Sequence, residues 1–126
     1  MANGFGDHPL QSGAVQYALP NQAFLSMALE SYADLAKVLG YDAEDKRNIA
    51  VQLKNNVRNA FYVDNKKCYS SYITNGIKEE HYSEYTQVIA LYSGISIGEE
   101  AENLARLLTD KKSGLQKLSL SNYLYK

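Results

Sequence analysis

The chain has no tryptophan, two prolines, one cysteine and two histidines in 126 residues. Each scarcity closes off a class of protein. A single cysteine, Cys68, cannot form an internal disulfide, so the chain is not a disulfide scaffold. As a nucleophile it would need a neighbouring base, and only Lys66 and Lys67 adjoin it. Two histidines, His8 and His81, do not make a ligand set of defined spacing, so no metal and no cofactor is expected. Thirteen basic and 14 acidic residues leave a net charge of -1, which gives no global field for nucleic acid or an anionic membrane. No apolar run is long enough to span a bilayer. The opening MANGFGDHPLQSG has neither the basic start nor the apolar centre of a signal peptide, and the compartment stays open. Gly4 and Gly6 are framed by no strand or helix, so they form no phosphate loop.

What the chain does have is 45% hydrophobic residues and 11 tyrosines. That is enough apolar material for a core, and tyrosine suits half-buried walls and wet pockets because its ring is apolar and its tip polar. The stretch Leu19 to Leu39 is the most heavily apolar part. Phe24, Ala28, Leu35 and Val38 form one stripe at helical spacing, and Leu25, Leu29, Tyr32, Ala36 and Leu39 form a second beside it. A helix apolar on two faces must be covered on two faces.

Residues 1–18 read as a coil lead-in, with Gly, Pro and scattered polar residues. Pro20 suits the first turn of the first helix, and Gly40 suits its left-handed C-cap. Asp42 is placed to cap a second helix through Phe61, with Glu44 and Asp45 in its first turn. That helix has one apolar stripe: Ile49, Leu53, Val57, Ala60 and Phe61. So short a connection makes the pair an antiparallel hairpin. Residues 62–75 read as a long connection with a small β-ribbon, and Asn75-Gly76 as a turn dipeptide. Ser83 caps a third helix through Ile95, again apolar on more than one face. Ser96 to Glu99 resembles a capping box opening a fourth helix to about Leu108, whose stripe is Ala101, Leu104, Ala105 and Leu108. Residues 115–120 alternate as an extended segment would, and 121–126 read as the start of a further helix.

Two-faced and one-faced helices therefore alternate. An ordinary four-helix bundle would make all four one-faced. Alternation predicts an all-α fold of two antiparallel hairpins in inner and outer layers, with residues 19–126 forming part of an α/α toroid. The 60-residue separation of the hairpins, counted from the sequence, is too long for short helical repeats.

The residues that carry a resemblance are Leu19-Pro20-Asn21-Gln22-Ala23-Phe24, the Leu35-Ala36 to Leu39-Gly40 helix end and Asn59-Ala60-Phe61-Tyr62. They continue with the segment from Asp64 to Tyr69, Tyr85-Thr86-Gln87 with Ala90-Leu91, and Leu115 to Tyr123. Together they resemble the bacterial α-L-rhamnosidase-like glycoside hydrolases, whose catalytic domain is a six-hairpin α/α toroid. The resemblance implies carbohydrate as the partner of the parent protein and about two of its six hairpins here. It also places the family's catalytic carboxylates upstream of Met1 and beyond Lys126, so no catalytic residue carries over and this chain alone is expected to be inactive.

Glycoside hydrolysis uses two carboxylates across the scissile bond. Glu79, Glu80 and Glu84 stand before and at the start of the third helix, where Glu84 also suits the helix dipole. Tyr17, Asn21 and Gln22 stand at the start of the first inner helix, and His81, Glu84 and Tyr85 at the start of the third. These six are the candidate substrate-binding residues. The other reading is a non-enzymatic helical interaction module. On either reading, the uncovered inner-helix surface predicts a homodimer.

Overall fold

The computed structural model describes residues 16–117. Helix α1 spans Leu19–Val38 and α2 spans Glu44–Phe61. Pro20 lies in the first turn of α1, but no side chain caps that helix. The Leu19 N–H instead donates to the Ser71 carbonyl at 3.0 Å, so the start of α1 is held by a distant segment. Its end follows the sequence. Gly40 is left-handed (φ 86°), with Gly40 N–H bonded to Lys37 O at 3.1 Å and Tyr41 N–H to Ala36 O at 2.8 Å. This is a Schellman closure, and it turns the chain back so that α2 packs along α1. Asp42 Oδ1 accepts from the Glu44 N–H at 3.0 Å.

The α1–α2 contact is not built as the apolar stripes predict. The buried residues of α1 are Leu19, Pro20, Ala23, Ser26 and Ala33. Phe24, Leu25, Tyr32, Leu35, Val38 and Leu39 are all exposed. Small side chains let a neighbouring backbone approach closely, so the packed face of α1 needs little bulk. Two ion pairs join the helices, Lys54–Glu30 and Arg47–Asp34, both at 2.6 Å. On α2 the buried residues are Ala50, Val57 and Phe61, while Ile49 is exposed and Leu53 half-buried.

The connection after α2 holds more β-structure than a single ribbon. Strands β2 (Tyr62–Val63) and β3 (Cys68–Tyr69) pair antiparallel, with Tyr62 opposite Tyr69. Strands β4 (Tyr72–Thr74) and β5 (Ile77–Lys78) form a hairpin closed by Asn75-Gly76. Both turn residues have positive φ, 51° and 81°, as a type I′ turn demands. Strand β1, Gln16–Ala18, adds to the open edge of β4, giving the order β1-β4-β5. The lead-in therefore ends as a strand, and the fold is mainly helical with small antiparallel sheets instead of all-α. The residues before it lie outside those described, as do 118–126, including the further helix expected at 121–126.

Helix α3 spans Glu84–Tyr92 and α4 spans Gly98–Thr109. Ser83 caps α3 by accepting from the Thr86 N–H at 3.0 Å. The helix stops short of Ile95 because Gly94 turns left-handed (φ 82°), and Ile95 is buried in the connection instead. The capping box at Ser96 does not form: Ile97 is the N-cap of α4 and caps through no side chain. Of the α4 stripe, Leu104 is buried, Ala101 and Leu108 are half-buried and Ala105 is exposed. Helix α3 packs between α1 and α4. The core gathers Leu19, Ala23, Val57, Phe61, Tyr69 and Ile89 with Ile95 and Leu104. Past the α4 turn, Leu115 is buried and Gln116 bridges in parallel to Ser83. No helix among the described residues is long and apolar enough to cross a membrane.

Candidate functional site

Both α1 and α3 begin at one place, the dipeptide Ser70-Ser71. Ser71 O accepts from Leu19 N–H at 3.0 Å, and Ser71 N–H donates to His81 O at 2.8 Å. Ser71 Oγ receives the Thr86 hydroxyl at 2.8 Å and lies 3.4 Å from Ser83 Oγ. Ser70 Oγ contacts the carbonyls of Glu79 at 2.6 Å and Tyr72 at 2.9 Å. Beside this node Gln87, wholly buried, acts like a length of strand. Its amide accepts from Tyr69 N–H and donates to Tyr69 O, each at 2.8 Å, and also reaches Ser83 O at 3.1 Å. Buried polar groups have to be paired, and this network pairs main chain that the short strands leave over. Its hydroxyls bond to one another and to carbonyls. The node positions helix starts.

The six candidate residues divide around it. Tyr17, in β1 opposite Ile73, and Gln22 line one groove with Leu53, Asn56, Ala60 and Ile73, of about 200 Å³. Tyr17 is 52% exposed. Asn21 is half-buried in the first turn of α1 and lies outside that groove's lining. His81 packs its ring on Tyr72, with centroids 5.1 Å apart. Glu84 receives Lys117 Nζ at 3.2 Å, and its N–H donates to Gln116 O at 2.8 Å. Tyr85 is exposed on α3. Strands β1 and β4 link the two groups, since Ala18 stands opposite Tyr72. Of the other acids, Glu79 accepts a hydrogen bond from Thr74, and Glu80 is exposed.

A second concavity, of about 250 Å³, escapes the sequence reading. It is lined by Arg58, Asn59, Tyr62, Asp64, Lys78 and Glu100. Its two cations are engaged with main chain: Arg58 Nε donates to Ile95 O at 2.5 Å and Lys78 Nζ to Tyr62 O at 2.6 Å. Partial burial raises the Tyr62 phenol above its ordinary value, and the charges of Glu100 and Asp64 add to the rise. The lining is separated in sequence by 42 positions, from 58 to 100, and comes from α2, β2, β5 and α4. Burial also raises the Cys68 thiol, against a smaller opposing effect of Lys66. A thiol held protonated is a poor nucleophile. Among the described residues no group of three or more His, Cys, Asp or Glu could hold a metal ion.

No protein-family model matches the chain, and no curated protein sequence does. Among solved structures, the chain superposes on the crystal structure of a GH78 family rhamnosidase of Bacillus sp. GL1 with a TM-score of 0.73. The match is 23% identical and covers 80% of this chain and 11% of that one. The likeness is one of fold, and the chain spans about a ninth of the rhamnosidase's length.

Proposed function

We propose that the chain is part of a carbohydrate-active glycoside hydrolase of α-L-rhamnosidase type, two hairpins of an α/α toroid, without turnover of its own. The fold likeness to the GH78 rhamnosidase carries this reading. The local architecture agrees with it: α1 and α3 start from one node and pack together, while α2 lies on α1 and α4 on α3. That is the arrangement expected of inner and outer helices. In this reading the Tyr17 groove is a wall for a sugar. The apolar face of a pyranose rests on the Tyr17 ring, and the amides of Gln22 and Asn56 reach hydroxyls. Asn21, His81, Glu84 and Tyr85 are carried as further contacts at the same end of the helices. Without the opposing carboxylate pair no glycosidic bond is cleaved.

Two measurements test this. The chain should release no chromophore from an aryl α-L-rhamnoside, and clear turnover would refute the absence of the catalytic pair. L-Rhamnose should shift NMR resonances at Tyr17 and Gln22. At about 0.3 kcal/mol per non-hydrogen atom a monosaccharide binds in roughly the millimolar range. Tyr17→Ala should abolish the shifts, and their persistence would remove the groove from the proposal. The second reading, a helical interaction module, draws on the exposed apolar face of α1.

A further inference from the structure

The exposed face of α1 has an internal order. Leu25, Ala28, Tyr32, Leu35 and Leu39 follow one another at alternate steps of three and four residues, and Asn21 continues the pattern by one step of four. That is the heptad spacing of a helix–helix seam, sustained over two heptads. All five are exposed, and the four large ones lie between 51% and 65% accessible. The flanking positions hold Gln22, Phe24, Leu29, Ser31, Ala36 and Val38, without a charge among them. Of the three charges that α1 carries in this region, Glu30 and Asp34 are held by Lys54 and Arg47 of α2, and Lys37 stands outside the seam and its flanking positions. Nothing along the seam therefore opposes a like surface.

From this pattern we infer that α1 is the contact helix of a two-fold homodimer, pairing antiparallel with α1 of a second copy. The seam is self-complementary in one register. Leu25 faces Leu35 of the other copy, and the small Ala28 faces the large Tyr32, each pair occurring twice about an axis near Glu30. A parallel pairing would set Tyr32 against Tyr32 and Ala28 against Ala28, leaving one layer crowded and the next empty. The area suffices. Phe24, Leu25, Tyr32, Leu35, Val38 and Leu39 together expose on the order of 700 Å², close to the ~800 Å² each partner gives a standard interface. The two-fold makes the same patch serve both sides. The inference is independent of the toroid reading, in which other hairpins would cover this face.

Sedimentation velocity from about 1 μM to about 500 μM should show a reversible monomer–dimer equilibrium. Leu35→Lys, at a 62% exposed position that leaves the fold intact, should weaken the dimer at least about tenfold. Mixing Leu25→Cys protein with Leu35→Cys protein should give a disulfide between the two variants and not within either sample alone. Native Cys68 is buried and does not compete. A chain monomeric throughout that range overturns the inference and leaves the face to other helices. A dimer indifferent to Leu35→Lys places the interface elsewhere, and Leu25→Cys linking to itself refutes the antiparallel register.

Discussion

Replacing Gln87 by leucine would keep the bulk of the side chain and leave the N–H and carbonyl of Tyr69 without their partner. Both groups are buried, and each stranded group costs about 1–3 kcal/mol. Gln87→Leu should therefore lower the urea unfolding free energy by about 3 kcal/mol. A loss under about 1 kcal/mol would mean that water or another group takes over the pairing. Nothing in hydrophobic periodicity asks for this residue to be inside, because a polar side chain on a helix is ordinarily assigned to the wet face. The same rule misplaces Tyr85, Val88 and Tyr92, which are exposed while Thr86 and Gln87 are buried. The demand on Gln87 comes from strands too short to bond all their own main chain, and strand length was not legible. Its neighbour Ser83 was legible, since a serine before an apolar run is a local signal and its cap is read within one turn.

Sequence and structure agree at several sites of local chemistry, the Gly40 closure, the acidic first turn of α2 and the Asn75-Gly76 hairpin turn, though not at the Ser96 capping box. Helix faces agree less well. Bulk marks a residue as apolar but does not say which neighbour covers it, and in α1 the small residues Ala23, Ser26 and Ala33 face inward. The pair Lys54–Glu30 sits in that α1–α2 packing with side chains 16% and 31% exposed. An ion pair so placed lies between the near-neutral surface case and the costly buried one. Lys54→Met leaves Glu30 half-buried without its cation and should destabilise by about 2 kcal/mol. Adding Glu30→Gln to it should recover about 1 kcal/mol, because the stranded charge is then gone. Strict additivity of the two single variants would show that the pair is not coupled. Arg47–Asp34 is more exposed, and its loss should cost less than about 1 kcal/mol.

At the scale of the whole molecule, the four helices were legible, but the two-faced character of α1 and α3 does not translate into covered faces, since Leu25, Tyr32, Leu35, Tyr85, Val88 and Tyr92 are exposed. The sheets were only half legible, since β1 pairs with a strand more than 50 positions away and no local pattern announces that. The polar concavity around Tyr62 was not legible at all, for the same reason of distance. One property belongs to the molecule as a sum. Cys68, Tyr62, Tyr69 and Tyr82 all have proton affinities raised first by burial. For Tyr62, Tyr69 and Tyr82 neighbouring carboxylates add to the rise. The unfolded chain releases these protons at the ordinary values, 9.0 for the thiol and 10.0 for the phenols, whereas the folded chain holds them to higher pH. Stability from these groups is therefore complete below pH 9.0 and is lost as pH rises through and beyond the phenol value of 10.0. The urea midpoint should hold up to about pH 9 and fall from there to about pH 10.5 with little change in slope. Cys68→Ala removes the contribution that begins first, so its midpoint should stay flat to higher pH even though the missing sulfur lowers it overall. A midpoint that rises with pH, or a Cys68→Ala profile that declines as early as the parent's, would show that these groups ionise as freely folded as unfolded.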